Sequence, residues 1–245
     1  MKLWEDHVTI TTKYGRMPAF AAAPAEGDAV PAIIFYMDAP GFREELCNMA
    51  RRIAKAGYFC LLPDMYYRLG TVRFDLPRRD DGMSAVIRAA MNHLTNALVV
   101  EDTGAMLAWL DAQGMVKPGP VGCVGHCMSG RYITTVAARF PHRMAAAASL
   151  YGVGIVTDQE DSPHRLLDRV EGELYYCFAE IDATVPENVI PTLTAALEQA
   201  GTRHLLEQLP GTQHGFQFSE RPAYAPEASE HAWNQIFRLW ERNLR

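Results

Sequence analysis

The chain has 245 residues, 49% of them hydrophobic and 21% charged, with a formal net charge of −6 at pH 7. Such a length lets one α/β domain bury its core without disulfides or metals, and such a composition excludes disordered, collagenous and coiled-coil classes. The acidic balance argues against a nucleic acid or an anionic membrane as partner.

In chain order, residues 7–12 and 18–23 read as an antiparallel hairpin around Tyr14-Gly15. Apolar strand-like runs follow at 32–37, 58–62, 121–124, 146–151, 174–178 and 204–209. Most are apolar on both faces, as parallel strands covered by helices are. Helical spacing joins Leu46, Met49, Ala50 and Ile53, then Ile133, Val136, Ala137 and Phe140, then Trp233, Ile236, Phe237 and Trp240. A weaker helix carries Val99, Met106 and Leu110, and another ends at Gly201. With no repeat and no linker, residues 1–245 read as a single α/β domain. Its sheet is mostly parallel, of about eight strands, with helices on both faces. Ligands in such sheets sit at the carboxyl ends of the strands.

The five cysteines (Cys47, Cys60, Cys123, Cys127, Cys177) are odd in number and lack CxxC spacing. That fits a reducing compartment and leaves a thiol for another purpose. Glu5 and Asp6 stand where a signal peptide needs an apolar stretch, and the longest nearly apolar run, 144–156, is too short for a bilayer. A cytoplasmic protein is expected.

After the strand at 121–124 comes Gly125-His126-Cys127-Met128-Ser129-Gly130, and then a helix. Strand, tight small-residue turn and helix make a nucleophile elbow. The thiol of Cys127 would face a helix N-terminus, where the dipole favours thiolate. By itself the hexapeptide fits a buried structural cysteine equally well. A cysteine nucleophile needs a base and an orienting acid. Ala179-Glu180-Ile181-Asp182 follows one strand and Gln213-His214-Gly215-Phe216 follows the next. Nucleophile, acid, histidine is the chain order of α/β-hydrolases. Spacing alone leaves Glu180 and Asp182 as rivals. His126 is expected to face away from the thiol, in packing or hydrogen bonding. No histidine pair has metal-ligand spacing with a third ligand nearby, so neither metal nor cofactor is expected.

At these residues the sequence resembles the dienelactone hydrolase family, whose elbow reads Gly-x-Cys-x-Gly-Gly. Asp182 with Val185-Pro186 resembles the family's D-x-x-V-P, which selects Asp182 over Glu180. Pro63-Asp64-Met65-Tyr66, Tyr151-Gly152-Val153-Gly154 and His214-Gly215-Phe216 resemble further family segments. The resemblance implies the α/β-hydrolase fold and hydrolysis of an ester or lactone by a Cys127–His214–Asp182 triad. It implies an oxyanion hole of the Met128 and Ala39 N–H groups, and Asp38 as the group gating the thiol, in place of the family's glutamate. A helix cap is the other reading of Asp38. Tyr36, Tyr66, Arg88 and Phe216 are candidate substrate contacts. Arg68, Arg73, Arg78, Arg79 and Arg88 form either a solvated face or an anion site. Phe218 stands where the family carries a carboxylate-binding arginine, so the substrate is expected to differ from the dienelactone. Acyl transfer, C–C cleavage and a non-catalytic binding role are the alternatives. The partner is a small molecule, and the chain a monomer or homodimer.

Overall fold

The hairpin forms as its turn residues dictate. In the computed structural model, which describes residues 1–245, β1 (Leu3–Thr12) pairs antiparallel with β2 (Gly15–Pro24), Thr12 opposite Gly15. The chain divides into two compact units, Met1–Gly119 and Pro120–Arg245.

In the first unit the strand order is β1-β2-β4-β3, with β3 at Ala32–Tyr36 and β4 at Phe59–Pro63. β2 meets β4 antiparallel, and β3 meets β4 in parallel. Every residue of β3 and β4 is buried, as their continuous apolar runs require. Helix α1 (Glu44–Lys55) buries Leu46, Met49, Ala50 and Ile53, the stripe read from the sequence. Helix α2 (Asp81–His93) was not legible from periodicity, because only Ile87 and Ala90 of its length are buried. It starts instead on a side-chain cap, Asp80 Oδ1 accepting from the Met83 N–H at 2.7 Å. Helix α3 (Asn96–Asp111) buries Val99, Met106 and Leu110 and is capped by Thr95.

The second unit is entirely parallel, in the order β5-β6-β7-β8. These strands are Val121–His126, Met144–Leu150, Glu173–Ile181 and His204–Gln213. Helix α4 (Gly130–Arg139) follows β5, α5 (Val189–Ala200) follows β7, and α6 (Pro226–Leu244) closes the chain. Gly201 ends α5 at φ +67, a left-handed backbone that glycine adopts without a Cβ penalty. The strand expected to end at Leu209 runs on to Gln213. Its pairing with β7 breaks after Ala179 and resumes at Ile181–Gln213. Pro210 and Gly211 are therefore an irregularity within β8 rather than the loop expected from their residue types. No helix is long and apolar enough to cross a membrane.

Candidate active site

The elbow lies where β5 stops. Cys127–Ser129 form a single 3-10 turn that leads directly into α4. Cys127 has φ +52, a conformation that an L residue holds only when its surroundings enforce it. The enforcement is visible at two glycines. A Cβ on Gly125 would lie 2.5 Å from the Ser129 carbonyl oxygen, and one on Gly130 would lie 2.3 Å from the Gly152 Cα. Both positions must be bare for the turn to be this tight. The Val153 N–H donates to the Cys127 carbonyl at 3.0 Å and fixes the turn from the other side. Cys127 is also the one cysteine that is not buried.

Asp182 is the first residue beyond β7, and His214 the first beyond β8. The His214 Nδ1–H donates to Asp182 Oδ2 at 2.6 Å. Glu180 does not compete, because its Oε2 accepts from the Gly211 N–H at 2.7 Å. Thr184, which the sequence reading passed over, completes the acid. Its Oγ1 donates to Asp182 Oδ1 at 2.5 Å, and its N–H donates to the same oxygen at 2.9 Å. The signal was present as an Asp followed two residues later by Thr, a pattern that favours a local side-chain turn.

Burial would push the Asp182 carboxyl up, but hydrogen bonds from His214 and Thr184 hold it below the usual carboxylate range. Burial likewise pulls His214 down. Asp182, followed by a hydrogen bond to and the charge of Cys127, more than offsets this and raises the imidazole to about 9. With Nδ1 committed to Asp182, Nε2 is the nitrogen left for the thiol.

Behind the imidazole stands Tyr151, the other non-glycine residue with positive φ, at +38. Its ring packs edge-on against His214 with centroids 5.1 Å apart, and against Phe216 at 5.2 Å. Phe216 is fully buried, so it supports the ring cluster rather than presenting a substrate face. Met128 is fully buried in the turn after Cys127.

The remaining candidates belong to the first unit. Asp38 is fully buried and bridged by the Arg43 guanidinium at 2.5 Å. It is not the N-cap of α1, a position held by Arg43. The Tyr66 hydroxyl donates to the Ala39 carbonyl at 2.7 Å, which anchors the peptide just after β3. Tyr66 is thus a buried support, and so is Tyr36, whose hydroxyl meets Thr103 Oγ1 at 2.7 Å. The arginines of 68–88 do not act as one patch. Arg68 is paired with Asp102, Arg73 with Asp64 and Arg78 with Asp75, while Arg88 is exposed on α2.

The family model described as the dienelactone hydrolase family matches residues 17–244. A Synechocystis protein provisionally named a carboxymethylenebutenolidase is 27% identical over 241 residues, covering 97% of this chain and 96% of the relative. A Bradyrhizobium protein provisionally named a 2-oxo-3-(5-oxofuran-2-ylidene)propanoate lactonase is 26% identical, covering 96% of this chain and 94% of the relative. Among solved structures, a Klebsiella pneumoniae protein provisionally described as a dienelactone hydrolase superposes with TM-score 0.88 at 22% identity, covering 99% of this chain and 100% of that one. An Anabaena variabilis dienelactone hydrolase gives 0.72 at 19% identity, with both chains fully covered. The strand and helix succession is therefore that of the α/β-hydrolase fold, and the chain belongs to the dienelactone hydrolase family.

Proposed function

We propose that the protein hydrolyses an ester or lactone through a thioester on Cys127. The observation that carries this reading is His214, held by Asp182 on Nδ1 and interacting with Cys127 at a strained elbow. The Cys127 thiol gives its proton to His214 Nε2, and the thiolate attacks the substrate carbonyl. The Met128 N–H, first in the turn after the nucleophile, stabilises the developing oxyanion. The imidazolium returns its proton to the departing alkoxide as the C–O bond breaks. Water, deprotonated by the now neutral His214, then cleaves the thioester and restores the thiol. Asp182 stays ionised and holds the tautomer throughout, with Thr184 holding Asp182.

The test uses p-nitrophenyl acetate and a panel of lactones, both neutral and carboxylate-bearing. Cys127→Ala is expected to lose turnover by about 10⁴-fold, the scale at which a triad member matters. His214→Gln is expected to lose turnover on a similar scale, because neither the thiol nor the hydrolytic water is then deprotonated. Retained turnover in Cys127→Ala would overturn the reading.

A further inference from the structure

The nucleophile and the histidine are joined by a second, buried connection that takes no part in proton transfer. His126, the residue before Cys127, is fully buried at the end of β5. Its Nε2–H donates to Gln217 Oε1 at 2.6 Å. Gln217 lies three residues after His214 and is 4% exposed. The stretch between them is stiff. Phe216 N–H donates to Gln213 O at 3.1 Å, Phe218 N–H to Gly215 O at 3.0 Å and Ala225 N–H to Phe216 O at 3.0 Å. Rings complete the link. His126 meets Phe218 at 5.3 Å and Tyr151 at 5.7 Å between centroids, and Tyr151 in turn packs on His214.

The amide nitrogen of Gln217 is buried with no hydrogen-bond partner. An orphaned donor in the interior costs stability, and an apolar residue of similar shape would avoid that cost. The hydrogen bond is thus poorly explained as a device for stability. It is well placed to set distance and angle. It ties the backbone on one side of the thiol to the backbone on one side of the imidazole, independently of Asp182.

We propose that His126 and Gln217 are positioning residues, forming a brace that holds His214 in register with Cys127. The inference rests on the Cys127–His214 reading above. Two substitutions remove the bond while keeping volume: Gln217→Met and His126→Phe. His126→Gln keeps a donor at nearly the same reach and serves as the conservative control.

The measurement is the pH dependence of Cys127 alkylation by iodoacetamide, mapped by mass spectrometry, alongside thermal unfolding. The native protein is expected to be alkylated readily at pH 6, where His214, raised to about 9, carries the positive charge that can hold a thiolate. Gln217→Met is expected to unfold at the native temperature or above, yet to react about ten-fold more slowly at pH 6 and to need a higher pH to reach the native rate. His126→Phe should behave alike, the double variant no worse than either single one, and His126→Gln should recover the native profile. Native-like profiles in Gln217→Met and His126→Phe would overturn the brace while leaving the triad intact. A native protein lacking the low-pH reaction would overturn the triad and the brace together. Should Gln217→Met not fold, the contrast between His126→Phe and His126→Gln decides: equal profiles overturn the brace, and recovery by glutamine supports it.

Discussion

Neighbouring groups restrict what the side chains of Asp182 and His214 can do. Asp182 receives three hydrogen bonds, from His214 and from the N–H and hydroxyl of Thr184. Its charge is thereby fixed in place, and the imidazole tautomer with it. The pH dependence of stability follows from the two shifts. His214 is raised to about 9 from an ordinary value of 6.5, so its contribution is complete below about pH 6.5 and is lost as pH rises through 9. Asp182 is lowered, so its contribution is present above the ordinary carboxylate range and is lost on acidification below it. The pair should therefore stabilise most between about pH 4 and 6.5. Thermal unfolding of the native chain and of His214→Ala across pH 4–10 checks this. The gap in Tm is expected to close toward pH 10, and a gap that widened there would contradict the assignment. At this scale the placement of Cys127 at a strand–turn–helix elbow and of His214 just past a strand was legible in the sequence, as the fold has them. The sequence was ambiguous between Glu180 and Asp182 until a family pattern was matched, because both follow the strand expected at 174–178, whereas Glu180 lies inside the longer β7. The Glu180–Gly211 bond that separates them is long-range and leaves no local mark.

Elements matter through the points where they crowd. At the β5–α4 elbow α4 begins against the segment just after β6, where a Cβ on Gly130 would lie 2.3 Å from the Gly152 Cα. Gly130→Ala is expected to lower stability by about 1–3 kcal/mol or more, since backbone cannot yield as a side chain does. Gly114→Ala, where nothing lies within 4 Å of the added Cβ, should be nearly neutral. Comparing the two variants in denaturant separates crowding from any general glycine effect. The elbow was legible because small residues at fixed spacing have one local explanation. The course of β8 was not. Pro210-Gly211 reads as a loop from its residue types, and only the resumed pairing at Gln213 shows that the strand continues to the histidine. Helix α2 was missed for the opposite reason, having too few buried residues to impose a period.

At the scale of the whole molecule, the long segment after β4 is fastened by a buried polar network as well as by apolar residues such as Met65, Ile87 and Leu94. Asp102 on α3 accepts from Arg68 at 2.7 and 2.8 Å and from the Tyr67 hydroxyl at 2.8 Å. Burial raises the Asp102 carboxyl despite these donors. Arg68→Met is expected to cost about 3–5 kcal/mol by leaving a buried charge without its partner. The deficit should shrink in acid, where Asp102 can be neutral, and Arg68→Met with Asp102→Leu should recover most of it. Denaturant titrations at neutral and acid pH check both expectations. Composition announced a globular chain but not this arrangement. An arginine cluster read along the sequence looks like one field of charge, whereas in the fold Arg68, Arg73 and Arg78 each pair with a separate carboxylate.

The irregular end of β8 also bears on how copies of the chain meet. β8 is the last strand of its unit, and its outer rim would otherwise offer a ladder to any strand that approached. Pro210 has no N–H to give. It thus interrupts any ladder that a strand could start along this rim just before the histidine, which disfavours edge-to-edge pairing there.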